Sequence, residues 1–392
     1  MIGPVYIAGA VRTAIGNLNG ALASIPATAL GSRVIQAALS RAGIEANQVD
    51  EVIMGNVLSA GLGQNPARQA AIGAGLGHGV GATTVGKVCG SGLKAIMLAA
   101  QAIQCDDASL LVAGGMESMS RAPYLLEKAR NGYRLGHGEL LDSILRDGLT
   151  DAYGGFHMGT CADRCAAKYP FTRQQQDDFA VASYQRASAA MASGIFAREI
   201  VPVETSAGKV ALTVSEDEQP ARFNEQKLRQ LRPAFGSEGT VTAGNASGIS
   251  DGAAAVIVLS ERKARALGVT PRAKILGYAT AAREPEWFTL APIAAMKRLM
   301  DRLSLKVADV DLFEINEAFA VVAMAAMRDL EIAHEKVNVL GGAVALGHPI
   351  GASGARTLVT LLNAMEQRDA RIGITSLCIG GGEAVAMAVE RC

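Results

Sequence analysis

The sequence carries no surplus of either charge: 37 Lys and Arg balance 37 Asp and Glu over 392 residues. A surface built for nucleic acid or an anionic membrane is therefore unsupported, short of a local basic patch. No apolar run approaches the length of a membrane span. The N-terminal "MIGPVYIAGAVRTAIG" lacks the charged stretch and long apolar core of a signal peptide. The C-terminal "AVERC" matches no prenylation or peroxisomal signal. Cysteines are few and scattered, at 89, 105, 161, 165, 378 and 392, which suits a reducing compartment. These absences predict a cytoplasmic protein. Cys161 and Cys165 stand four apart in "CADRC", but no second Cys/His pair lies nearby, so buried thiols are expected there, not a metal. Histidine is scarce too, with five in the chain.

Glycine, by contrast, is abundant: 44 residues cluster at turns between apolar runs. With 49% hydrophobic and 19% charged residues, the chain has a well-buried composition and is long enough for two or more cores. "VDEVIMGNVLSA", "SLLVAGGME", "AAAVIVLS" and "GITSLCIGGGEAVAMAVE" read as buried strands, and "GSRVIQAALSRAG" and "PIAAMKRLMDRLS" as helices. Their alternation predicts an α/β chain. An internal duplication is also visible. "DEVIMGN", "GSG" and "VAGG" in the first half are echoed by "DVDLFEIN", "ASG" and "IGGG" in the second, with similar spacing. Residues 119–249 break the alternation with charge, turns and one helix, "RQQQDDFAVASYQRASAAMASG", and read as an inserted loop domain over a site or an oligomer contact.

Four positions carry candidate chemistry, each with a plain alternative. Cys89 in "GKVCGSGLKAI" stands where a helix is expected to start, so that free N–H groups would lower its pKa; the alternative is a small thiol in a tight turn. His348 in "GGAVALGHPIGASGART" precedes a proline and so ends a loop, as a base for a thiol or as a structural turn residue. Cys378 in "SLCIGGGEA" closes a strand before glycines that let N–H groups approach a ligand, although a strand cysteine is more commonly core. Asn316 in "FEINEAFA" either caps a helix or holds a water near an oxyanion.

Taken together these motifs resemble the thiolase family from "VYIAGAVRTAIG" to the last strand. "VCGSGLKA" resembles the nucleophile motif, "NEAFA" the asparagine motif, "GGAVALGHPIGASGAR" the histidine motif and "LCIGGG" the second-cysteine motif. "GFHMGTCAD" and "VTAGNASGISDGAAA" resemble the acyl-pocket and coenzyme A segments. The resemblance implies two duplicated α/β halves in a layered α-β-α-β-α core, 1–118 (completed by about 250–268) and 269–392, with the loop domain at 119–249. It implies reversible Claisen condensation of two acetyl-CoA or other short acyl-CoA molecules, and the reverse thiolysis, by a ping-pong route. Cys89 would be acylated and His348 would take its proton. Asn316 would hold a water, Cys378 would serve as acid and base, and the N–H groups of Cys89 and Gly380 would form an oxyanion hole.

The same resemblance places Ser247 on the pantetheine and His157 and Met158 in the pocket. Phe235 and Phe319 would wall the pocket, and Arg222 would lie at the nucleotide end. It implies no cofactor or metal, since coenzyme A thioesters are substrates. It also implies a homotetramer built as a dimer of dimers through the 119–145 stretch. Three departures bear on specificity: Phe288 in "WFTLAP", Lys87-Val88 before the nucleophile, and "GISDG". They leave open a 3-ketoacyl-CoA thiolase of broader chain length in fatty-acid degradation. A decarboxylating ketosynthase is disfavoured by Cys378, and a non-catalytic carrier by the presence of all four reactive positions.

Overall fold

The computed structural model describes residues 3–207 and 210–392. Strand β1 (Val5–Thr13) and helix α1 (Ala27–Ala42) open the first half, followed by β2 (Glu51–Gly55), β3 (Gly81–Val85), α2 (Ser91–Gln104) and β4 (Leu110–Ser118). An inserted region carries α3 (Met158–Lys168) and α4 (Arg173–Ala192), after which β5 (Ser250–Ser260) returns between β1 and β4. The second half comprises β6 (Ala273–Ala282), α5 (Ala291–Leu303), β7 (Leu312–Ile315), α6 (Ala320–Leu330), α7 (Ser353–Gln367), β8 (Ile372–Ile379) and β9 (Glu383–Arg391).

The main sheet runs β7-β8-β9-β6-β1-β5-β4-β2-β3. Outward from β1, the partners are antiparallel β5, antiparallel β4, parallel β2 and parallel β3. Outward from β6, they are antiparallel β9, antiparallel β8 and parallel β7. A single parallel bridge from Phe313 to Val337 continues the second series where β3 lies in the first. The halves are thus the same motif twice, joined where β1 and β6 share two registered pairs, Tyr6↔Lys274 and Ile7↔Ala273.

Helices α2 and α7 pack on each other and touch strands of both halves, forming the middle layer. Helix α1 covers the first half from outside and α5 the second. Strands between such layers lose water on both faces, which is why "SDGAAAVIVL" is buried at every position from Ser250 to Leu259. Glycine permits the tightest approaches. A Cβ on Gly92 would come within 2.8 Å of the Ala355 nitrogen, and one on Gly354 within 2.3 Å of the Leu93 nitrogen, so the two helix starts meet backbone to backbone. The inserted region is tied to β1 by a buried cluster in which Arg12 donates to Glu199 at 2.5 Å and to Asp217 at 2.7 and 2.9 Å.

The run "GITSLCIGGGEAVAMAVE" resolves into a hairpin, β8 and β9, with Gly381 and Gly382 at φ of 90° and 88° in its turn. Apolar periodicity alone could not separate two consecutive buried strands. Among the described residues no helix is long and apolar enough to cross a membrane.

Candidate active site

Cys89 sits in a turn that its own helix shapes. Val88 takes φ 42°, an unusual conformation for a β-branched residue, and the Ser91 hydroxyl holds the bend by donating to Val88 O at 2.7 Å and accepting from Lys87 N at 2.8 Å. Helix α2 begins at Ser91, just after this turn. The thiol is half-buried, and desolvation pushes it up to about 11 against the pull of the backbone N–H groups of Gly380 and of Cys89 itself. The lowered pKa expected at a helix start is therefore corrected: desolvation outweighs those donors, and the resting sulfur is a thiol that needs a base.

That base stands at the matching end of α7. Burial first, and then the Arg356 charge, lower His348 to about 3, so the imidazole is neutral. Its Nδ1 lies 2.6 Å from the Ser353 hydroxyl, which itself donates to Pro349 O at 2.9 Å. With its one hydrogen committed there, Ser353 must accept from Nδ1–H, which leaves Nε2 as the acceptor. Asn316 follows β7, with its Nδ2 3.5 Å from both ring nitrogens, a contact with the ring and not a directed hydrogen bond. Its Oδ1 accepts from Arg356 at 3.2 Å, and Arg356 is paired with Glu314 at 2.7 Å. This buried pair holds the amide against the imidazole ring.

Cys378 is fully buried at the end of β8, and desolvation, then the nearby Cys89, push its thiol well above the usual range. Cys378, which feels the charge of Cys89, and His348, which shares a cavity with Cys89, are therefore neutral at rest, as is Cys89 itself. The arrangement can pass protons between sulfur and nitrogen without stabilising a buried charge at rest.

A cavity of about 320 Å³ opens onto Cys89 and His348. Of the residues singled out in the sequence, Cys89, His157, Met158, Phe235, Ser247, Phe288, Phe319, His348 and Gly380 line it. His157 caps α3, its Nδ1 accepting from Gly159 N at 3.0 Å, and it stacks on Phe235 at 4.7 Å. Phe319 meets Phe235 and Phe288 edge-on at 5.9 and 6.4 Å. Ser247 donates its hydroxyl to Ala318 O at 3.0 Å, and the His348 N–H donates to Gly248 O at 3.0 Å, which docks the inserted region over the histidine loop. Asn316 and Cys378 lie behind the lining, wholly buried. Arg222 is not brought to the cavity: it is largely exposed and pairs with Glu218 at 3.4 Å.

Among the described residues no group of three or more His, Cys, Asp or Glu side chains is placed to hold a metal ion. The sequence reading passed over Ser353 and Arg356, although both lie in the quoted histidine segment, five and eight residues beyond His348. It also passed over Glu117, whose one signal was an acid inside the apolar strand "SLLVAGGMES".

The comparisons with known proteins agree with this geometry. The N-terminal thiolase domain matches residues 5–262 and the C-terminal thiolase domain residues 269–391. The chain belongs to the thiolase family. An acetyl-CoA acetyltransferase of Escherichia coli K12 is 55% identical over 387 residues, covering 98% of each chain. One from Arabidopsis thaliana is 54% identical over 389 residues, covering 98% of this chain and 96% of its own. Among solved structures, the Bacillus anthracis acetyl-CoA acetyltransferase superposes with a TM-score of 0.98 at 40% identity, over 100% of this chain and 99% of its own. A thiolase from Ascaris suum in complex with coenzyme A superposes with 0.94 at 43% identity, over 99% and 100%.

Proposed function

We propose that this thiolase is an acyltransferase that joins two acetyl-CoA molecules into acetoacetyl-CoA and coenzyme A, and runs the reverse thiolysis. The observation that carries the proposal is the pair of backbone N–H groups, from Gly380 and Cys89, directed at the Cys89 sulfur in a cavity that His348 lines. Cys89 attacks the first thioester carbonyl while His348 Nε2 takes its proton. As the tetrahedral intermediate collapses, Cys378 protonates the departing coenzyme A sulfur and is left a thiolate. That thiolate removes the α-proton of the second acetyl-CoA, and the enolate carbon attacks the acetyl-Cys89 carbonyl. The oxygen then faces the Gly380 and Cys89 N–H groups. Collapse releases acetoacetyl-CoA, and the proton held by His348 returns to Cys89. Entry of both substrates by one cavity makes the kinetics ping-pong.

Relatives named acetyl-CoA acetyltransferase at 55% and 54% identity support the acetyl substrate, and the aromatic walls Phe235, Phe288 and Phe319 support a short acyl group. Brief incubation with labelled acetyl-CoA and acid quench should place label on the Cys89 peptide. Label on Cys378 with Cys89 unmodified would overturn the assignment.

Two coarser features complete the reading. Six cysteines without a disulfide support a cytoplasmic enzyme. A homotetramer is supported by the exposed apolar side chains Tyr124, Leu126, Leu135, Leu140, Leu145 and Tyr153, grouped in the inserted region, and by β3, whose outer edge is unpaired among the described strands. Sedimentation of only monomer at micromolar concentration would refute it.

A further inference from the structure

The two halves place polar residues at matching strand ends. In the first half Gly55 pairs with Gly115, and in the second Ile315 pairs with Ser376. One residue beyond the first member of each pair stands an asparagine, Asn56 or Asn316. Two residues beyond the second member stand Glu117 and Cys378. The first half's counterpart of the proposed acid/base is thus a buried carboxylate. Three of its hydrogen bonds hold the Asn56–Leu58 turn of its own half, and the fourth crosses to the second half. Oε1 accepts from Asn56 Nδ2 at 2.8 Å and Leu58 N at 3.2 Å, and Oε2 from Val57 N at 3.0 Å and Gly351 N at 2.9 Å.

Gly351 lies in the loop between His348 and α7. A Cβ there would come within 2.6 Å of Glu117 Oε2 and 2.9 Å of Met116 O, and a Cβ on Gly115 within 2.1 Å of Gly351 O. The histidine loop therefore rests directly on β4, with Glu117 as the acceptor beneath it. The segment that leads into His348 from the N-terminal side is held instead by Glu317, which accepts from Val344 N at 3.1 Å and from Asn338 at 2.7 Å. Glu317 belongs to the same half as His348. Glu117 belongs to the half that carries Cys89.

We propose that Glu117 is a positioning residue for His348: by holding Gly351 N–H it fixes the loop of the base against the half that carries the nucleophile. The idea rests on His348 being the base for Cys89. Glu117→Asp keeps the carboxyl group but draws it back by one methylene, so it cannot reach both Gly351 and the Asn56–Leu58 turn. In this variant kcat should fall about 10- to 100-fold with KM changed less than about two-fold, the loss typical of a displaced positioning contact.

The deciding readout is a double-mutant cycle on the rate of Cys89 alkylation by iodoacetamide, which stays measurable when turnover is lost. Glu117→Asp should slow alkylation in the wild-type background and have no further effect in His348→Ala. An equal slowing in both backgrounds, or none in either, overturns the proposal. If His348→Ala alone leaves alkylation unchanged, the assignment of the base fails, and this inference fails with it. If Glu117→Asp does not fold, Glu117→Gln carries the same cycle with the same outcomes.

Discussion

The first and second halves of the chain each begin a central helix with a serine, and the two serines serve different ends. At α2, Ser91 turns its hydroxyl onto Val88 O and takes the Lys87 N–H, which bends the chain so that Cys89 faces the cavity. At α7, Ser353 turns its hydroxyl onto Pro349 O and takes the imidazole, which sets its tautomer. One half shapes a nucleophile through its backbone; the other prepares a base through its side chains. Duplication supplied the frame, and the divergence of a few positions divided the labour. Asn316 rests against His348, while Asn56 is tied down by Glu117 and Met116 O.

The comparison makes graded predictions. Cys89→Ser removes the first half's whole chemical contribution and should lower turnover on the order of 10⁴-fold or more, with labelled acetyl no longer retained on the protein. Cys378→Ser should separate the two half-reactions. Condensation should fall about 10²- to 10⁴-fold, as expected for loss of a positioned acid/base. Acetyl exchange between acetyl-CoA and labelled coenzyme A should fall less, because a hydroxyl can relay a proton yet is too weakly acidic to supply the base. Equal losses in the two assays would remove Cys378 as the enolising base.

Ser353→Ala tests whether the second half's serine acts through the imidazole. A loss of about 10- to 100-fold in kcat with KM nearly constant is expected for an orienting partner. The variant also loses the bond to Pro349 O and leaves the imidazole N–H without a partner, so stability should fall by about 1–3 kcal/mol. The smallest effect concerns the surface link between the halves. Lys87, beside the nucleophile, is paired with Glu383, beside the Gly380 turn, with side chains 22% and 36% exposed. A pair this open to water contributes about 0.2–1 kcal/mol. Lys87→Met should therefore shift the unfolding midpoint slightly and remove part of its dependence on salt. A large kinetic loss in this variant would mean that the pair also helps hold the oxyanion donors.

Much of the fold was legible because apolar runs alternate with helical periodicity and because the duplication repeats the spacing from asparagine to serine. The reactive positions were legible for a different reason: Cys89, His348 and Cys378 interrupt small, apolar or glycine-rich segments where few other groups could react. What escaped was anything set by distance through space. No spacing shows that Glu117 accepts from Gly351, 234 residues away. The direction of the Cys89 shift escaped as well, because a helix start argues for a thiolate whereas desolvation depends on what later segments lay over it. Sequence order also did not show that Arg222 would lie outside the cavity, largely exposed and paired with Glu218.

Strand β1 has a consequence for how the molecule is made. Its long neighbours in the sheet are β5, ending at Ser260, and β6, starting at Ala273, beside a short parallel contact with Ile200 and Val201. At synthesis rates of about 5–20 residues per second, β1 leaves the ribosome tens of seconds before either partner exists. Through that interval a strand of nine residues, nearly all destined for burial, has both edges open. Such a strand is a template for pairing with the wrong chain. Chains newly made under limited chaperone supply should therefore aggregate more, read as the insoluble fraction after a short translation pulse.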